Sequence, residues 1–188
     1  KHPKSSLLPR ALVRQGLLYY NDNQNEKAIE KFKLIVKKFP NTPDAIEAVA
    51  NAKNIYLDED NFEEYVKWVR KLKFVNVSES EADDSTFSIA EKKYFEGKNN
   101  FATIFTLDKY LDKYPEGAHS LKANYYLADL LFKDKKFDRA IIHYKVVLQA
   151  GTTQYSEDVL AKLSQIYLEK ENVYDALPLL ERLEQEAY

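Results

Sequence analysis

The chain has no cysteine and no methionine, and its 188 residues hold only 4 glycines, 6 prolines, 3 histidines and 1 tryptophan. Without cysteine there is no disulfide framework and no thiolate metal site, and the redox compartment stays open. Scarce glycine and proline disfavour a many-turned β architecture, while abundant Lys, Glu, Ala and Leu favour helices. No apolar run approaches the roughly 18 residues that span a bilayer, so direct membrane insertion is not expected. The N-terminal KHPKSSLLPRALVRQ lacks the apolar core of a signal peptide. The missing methionine, initiator included, suggests an excised or processed piece of a longer protein. An excess of one charge is absent too: 28 basic and 30 acidic residues are interspersed and leave a net charge of -2. With no basic track to hold a phosphate backbone, nucleic acid is not an expected partner.

Apolar residues make up 45% of the chain and aromatics 13%. That is enough for a sizeable core in one large domain or two small ones, and the starting expectation is an all-α fold. Little in it points to chemistry. His2, His119 and His143 contain no i, i+4 pair, and there is no HExxH and no glycine-rich phosphate loop. No metal, no cofactor and no catalysis is expected. Glu63 and Glu64 read as first-turn partners of a helix dipole. The 14 tyrosines read mostly as core. The acidic, hydroxyl-rich NVSESEADDST at 76–86 reads as a solvated loop, with Asp84 or Ser85 capping the next helix. Its alternative is a docking segment.

The organisation lies in a repeat. Nine residues separate Tyr19 from Ala28, four more reach Phe32 and three more Ile35. The same spacing returns as Tyr56, Tyr65, Val69, Leu72; Tyr94, Thr103, Leu107, Tyr110; Leu131, Ala140, Tyr144, Val147; and Tyr167, Ala176, Leu180, Leu183. The anchors at 19, 56, 94, 131 and 167 are 37, 38, 37 and 36 residues apart. A period of this size means a stacked array. Between each anchor and the next apolar face lies a polar break such as NDNQN or EGKNN, rich in side chains that favour turns. Each unit is therefore expected to be an antiparallel helix pair. Phe39-Pro40 and Tyr114-Pro115 close second helices, and Thr42-Pro43-Asp44 opens a new one, with Thr42 as its cap. Pro178, well inside the last expected helix, predicts a kink or a late start.

Gly16, Tyr19, Ala28, Phe32 and Pro40 together resemble the tetratricopeptide repeat, whose signature places a small residue, an aromatic, an Ala, an aromatic and a Pro at these offsets. Ala128, Ala140 and Tyr144 keep part of that signature in the fourth unit, and Ser164, Tyr167 and Ala176 in the fifth. Lys53, Tyr65, Glu91 and Thr103 depart from it with bulkier side chains, which predicts wider helix spacing in units two and three. The resemblance implies a right-handed α-solenoid of about five helix pairs, one domain over 1–188 with repeats near 7–41, 42–80, 81–116, 117–153 and 154–188. The junctions KKFPNTPDA and DKYPEGAHS also resemble those of bacterial cell-envelope tetratricopeptide proteins, such as the outer-membrane-assembly lipoprotein and the periplasmic Tol coordinator. That likeness tilts the localisation, otherwise unknown, toward the envelope rather than the cytoplasm.

In the resembled family, first helices line a groove that holds a partner protein or peptide. Projecting one face of each first helix gives two rows. Tyr20, Leu57, Phe95, Phe132 and Leu168 stay apolar in every copy, which fits either packing between first helices or a binding stripe. Leu17, Asn54, Lys92, Asp129 and Gln165 change chemistry from copy to copy, as specificity requires; the alternative is an ordinary solvated face. Tyr125 lies on the same projected face. Val13 and Leu17 stand where one branch of the family carries the Lys and Asn that hold a peptide carboxylate, so that use is disfavoured. The expected function is a non-catalytic scaffold binding a protein segment. Self-association through end or convex faces is the alternative, prompted by Leu179, Leu180 and Leu183 on a final helix with nothing after it, and an all-α enzyme domain comes third.

Overall fold

The computed structural model describes residues 7–186, so His2 and both extremes of the expected domain lie outside the described residues. Ten helices and no strand occur among those described: α1 (Leu7–Asn21), α2 (Asn25–Lys38), α3 (Pro43–Asp58), α4 (Phe62–Val69), α5 (Glu79–Glu96), α6 (Asn100–Lys113), α7 (Ser120–Lys133), α8 (Phe137–Gln149), α9 (Ser156–Glu169) and α10 (Val173–Glu186). The fold is all-α and built of helical hairpins. It divides into two compact units, Lys1–Ser85 and Thr86–Tyr188, with the boundary inside α5.

Local chemistry sets the helix ends. The Thr42 hydroxyl accepts from the Ala45 amide at 3.2 Å, with Pro43 at the first helical position and Asp44 in the first turn of α3. Asn99 caps α6 in the same way, accepting from the Ala102 amide at 3.0 Å. α2 and α6 stop at Lys38 and Lys113, immediately before Phe39-Pro40 and Tyr114-Pro115.

Four hairpins close with the same backbone device. The amides of Gln24, Asn61, Lys136 and Asn172 donate to the carbonyls of Tyr19, Tyr56, Leu131 and Tyr167, each at 2.8 Å. The residue before each amide, Asn23, Asp60, Lys135 or Glu171, has φ between 55° and 58°, as a Schellman closure requires. The third hairpin differs: its residue at positive φ is Gly97, at 60°, one position earlier, and its amide donates to the Lys93 carbonyl at 3.2 Å. A side chain in this left-handed region costs about 1 kcal/mol, part of it recovered because glycine loses more freedom on folding. Lys135→Gly is therefore expected to stabilise the chain by about 0.5 kcal/mol, read as a higher urea midpoint at unchanged slope.

Ala28, Tyr65, Thr103, Ala140 and Ala176 are each the fourth residue of a second helix, and all five are buried. In the first unit, Phe32, Ile35, Ala45, Ala52 and Ile55 are fully enclosed. In the second, Leu107, Tyr110, Leu127, Leu131, Tyr144 and Leu163 form one core. His143 on α8 is half-buried: its Nδ1 lies 2.8 Å from Asn124 Oδ1, and burial pushes its pKa below the ordinary value.

Three local expectations are corrected. Residues 79–86 are helical, not a loop, and neither Asp84 nor Ser85 opens the helix. The Ser78 hydroxyl accepts from the Glu81 amide at 3.0 Å, and Glu79 and Glu81 lie in the first turn. Ser78 and Glu81 have the spacing of a capping box, which starts α5 early. Leu72, expected on a second-helix face, falls beyond α4, which spans only 8 residues and ends at Val69. Its amide donates to the Val69 carbonyl at 2.7 Å in a turn, and the following Phe74, Val75 and Val77 are poor helix formers. α10 does not start late, and it continues through Pro178. It runs from Val173 to Glu186, and Pro178 and Tyr174 are both exposed, so the Tyr174 carbonyl that loses its donor has water within reach.

Candidate partner-binding face

Three first helices contribute to the second unit: α5 from Thr86 onward, α7 and α9. Polar side chains link them. Tyr94 on α5 donates through its hydroxyl to Asp129 Oδ2 on α7, at 2.8 Å. Lys162 Nζ on α9 donates to Asp129 Oδ1 at 2.8 Å and to Asp158 Oδ2 at 2.7 Å. The Tyr125 hydroxyl on α7 returns to Asp158 Oδ2 at 2.9 Å. One turn along α7, Lys133 Nζ comes within 2.7 Å of Asp129 Oδ2. A second link joins α7 to α5: Lys122 Nζ lies 2.5 Å from Glu91 Oε1, and the Tyr126 hydroxyl donates to the same oxygen at 3.2 Å. The Tyr94 and Tyr126 rings stack at 3.9 Å, and Phe95 meets Tyr126 edge-on at 5.8 Å.

Asp129 is the hub and is only 2% exposed. Burial alone would raise its pKa. Hydrogen bonds from Lys133, Lys162 and Tyr94 outweigh that and hold the carboxyl below its ordinary value. Burial likewise works to lower the Lys162 pKa, and the bonds to Asp129 and Asp158 reverse the effect. Tyr94 and Tyr125 are pushed up by burial and then by their carboxylate acceptors, so both remain protonated donors. The ensemble is a fixed, charge-balanced frame joining the three helices.

Expected site residues fall on both sides of this frame. Lys92 and Gln165 are exposed, and Gln165 Nε2 donates to Glu169 Oε1 at 2.9 Å on its own helix. Tyr125 is half-buried in the network, and Asp129 lies beneath the surface. In the other row Phe95 is 70% and Leu168 48% exposed, with half-buried Phe132 between them in repeat order. The Lys162 ammonium lies 6.0 Å from the Phe132 ring centre. In the first unit, Asn54 is exposed and Leu17, Tyr20 and Leu57 are half-buried, with the Tyr20 hydroxyl bonded to Asp58.

Tyr94, Asp158 and Lys162 were not among the expected site residues. Their signal was present: Asp129 with Lys133, and Asp158 with Lys162, are opposite charges one helical turn apart. The links Tyr94–Asp129, Tyr125–Asp158 and Asp129–Lys162 also span 35, 33 and 33 residues. That separation, slightly short of one period, brings positions on neighbouring first helices face to face.

Residues 10–42, covering most of α1 and all of α2, match the tetratricopeptide repeat family. That segment carries a tetratricopeptide repeat. The matched segment contains Gly16, Tyr19, Ala28, Phe32 and Pro40. No curated protein matches. Similar solved structures include tetratricopeptide-like repeats of a putative kinesin light chain from Podosopora anserina, at 17% identity over 98% of this chain and 95% of that one, TM-score 0.42. MamA from AMB-1 aligns at 14% identity over 97% of this chain and 93% of that one, TM-score 0.48. YrrB, a tetratricopeptide protein with an unusual peptide-binding site, aligns at 14% identity over 92% and 82%, TM-score 0.42. The tetratricopeptide architecture is in general that of a protein-interaction scaffold. Among the described residues no group of His, Cys, Asp and Glu could hold a metal, and no helix is long and apolar enough to cross a membrane.

Proposed function

We propose that the chain is a non-catalytic scaffold whose first-helix face in the second unit binds an extended or helical segment of another protein. The observation that carries this reading is the exposure of Phe95 and Leu168 on either side of Phe132, on helices already tied together by the Tyr94–Asp129–Lys162–Asp158–Tyr125 network. An apolar stripe on a pre-ordered frame offers side-chain pockets without first having to order the helices, which favours affinity. Lys92, Lys133 and Gln165, all exposed, would then select among partner segments by charge and hydrogen bonding. Leu17, Tyr20, Asn54 and Leu57 are the corresponding contacts proposed for the first unit, and the five hairpins are taken to work as one array.

A displayed peptide library selected on the wild-type chain tests this. The expected result is enrichment of segments with a large apolar residue, and a Phe95→Asp, Leu168→Asp double variant should lose at least about tenfold in affinity for the selected peptides. Both positions are exposed, so helicity should not change. Undiminished binding to the double variant would remove the assignment of the stripe.

A further inference from the structure

Two second helices of the second unit, α6 and α8, carry an apolar face that the core does not use. Each buries its fourth residue, Thr103 or Ala140. Two residues before such an anchor, and two and six after it, the helix has turned to its opposite side. On α6 these places hold Phe101, Phe105 and Lys109, and on α8 Asp138, Ile142 and Val146. The four apolar side chains among them are 40% to 75% exposed. In the first unit the places two before and two after the anchor hold Glu26 and Glu30 on α2, and Glu63 and Lys67 on α4, all exposed. The same position of the hairpin is a charged, solvated face in one unit and an apolar one in the other. Exposed apolar side chains gathered on neighbouring helices mark an interaction surface.

Charge around this patch is positive. Residues 98–113 and 134–149, which hold α6, α8 and the turns leading into them, contain seven bases and four acids, in a chain whose net charge is -2. Three of those acids are already paired. Asp108 accepts from Arg139 at 2.8 and 2.9 Å, Asp138 holds Lys170, and Asp134 holds Lys136. Outside these pairs, exposed Lys109, Lys113 and Lys145 outnumber the remaining acid, Asp112. A second copy would bring a second cationic margin to the same interface, whereas an anionic surface brings the complement.

The seam between the helices narrows the choice further. The Arg139–Asp108 pair spans the gap from α8 to α6 and is itself partly exposed, so it stands where a docked helix of another protein would settle. A lipid headgroup layer accepts such a pair. Phenyl and alkyl groups sink toward the acyl chains while charged groups beside them stay with the phosphates.

We propose that the α6–α8 face is a peripheral attachment site for an anionic lipid surface. Phe101, Phe105, Ile142 and Val146 enter the interface, and Lys109, Lys113 and Lys145 meet the lipid phosphates. Lys109 stands ready for this, its ammonium 4.7 Å from the centre of the Phe105 ring. The site shares no residue with the first-helix stripe.

Co-sedimentation of the full chain with lipid vesicles tests the proposal, using phosphatidylcholine alone and phosphatidylcholine with about 30% phosphatidylglycerol. At equal lipid, the bound fraction should be at least about fivefold higher on the anionic vesicles in low salt, and should fall toward the neutral level in roughly 0.5 M salt. Phe101→Ser with Phe105→Ser, and separately Lys109→Glu with Lys113→Glu, should each lower binding to anionic vesicles at least about fivefold. All four sites are exposed, and circular dichroism checks that both variants fold. Equal, weak sedimentation with the two kinds of vesicle would overturn the proposal, as would anionic binding that either pair of substitutions leaves intact. A concentration-dependent dimer abolished by the phenylalanine substitutions would overturn it in favour of a second copy.

Discussion

Asp129→Ala is expected to lower the unfolding free energy by about 3 kcal/mol, while Lys92→Ala, two residues before Tyr94 on α5, changes it by less than about 0.5 kcal/mol. The contrast follows from burial. Asp129 accepts from Tyr94, Lys133 and Lys162 while 2% exposed, so its removal strands a phenol and leaves Lys162 with Asp158 as its remaining carboxylate. Lys92 is exposed. Urea melts of both variants and the wild type read the difference directly, and equal midpoints would contradict the account of Asp129 as the hub.

The same network sets a pH dependence. Asp129 titrates lower in the fold than its ordinary value, so its contribution is complete above about pH 4 and is lost as pH falls through the folded value. Lys162 titrates higher in the fold, so its contribution is complete below about pH 10 and is lost as pH rises further. The wild type should therefore weaken at both extremes. Asp129→Asn should flatten the acid limb specifically, which a urea midpoint measured from about pH 5 to pH 3 would reveal.

Gly16→Ala is the second large effect, expected at about 2 kcal/mol of destabilisation. A Cβ at Gly16 would stand 2.5 Å from Cε1 and 2.9 Å from Cζ of Phe32. Phe32 is fully buried at the centre of the first hairpin, so its ring cannot swing into solvent. Alanine's better helix propensity returns about 1 kcal/mol at most, too little to cancel the clash. Phe32→Leu in the Gly16→Ala background should recover part of the loss, whereas Phe32→Leu alone should cost stability. If Gly16→Ala proved neutral by urea titration, the close α1–α2 contact would be wrong.

Much of the fold was legible because repetition multiplies weak signals. A single Ala nine residues after a Tyr means little, but five matching anchors fix the helix phase, and all five second-helix positions proved buried. Thr42-Pro43-Asp44 and the two aromatic-Pro pairs were equally readable, because caps and breaks act within a few residues. Ser78 escaped because its box partner Glu81 lay inside a stretch so acidic and hydroxyl-rich that it resembled a loop. The site was only half legible. Helical spacing projected Phe95 and Leu168 onto one row, and both are exposed, yet spacing could not reveal that Asp129, on the neighbouring row, is buried.

By itself, then, the sequence determined the hairpins, their order and the faces each helix presents, since those depend on side-chain periodicity and on turn chemistry within a few residues. Tertiary structure alone decided what covers each face. Asp129 became a hub because α5 and α9 bring Tyr94 and Lys162 to it. Burial belongs to a pair of surfaces, and one strand of sequence specifies only one member of the pair at a time.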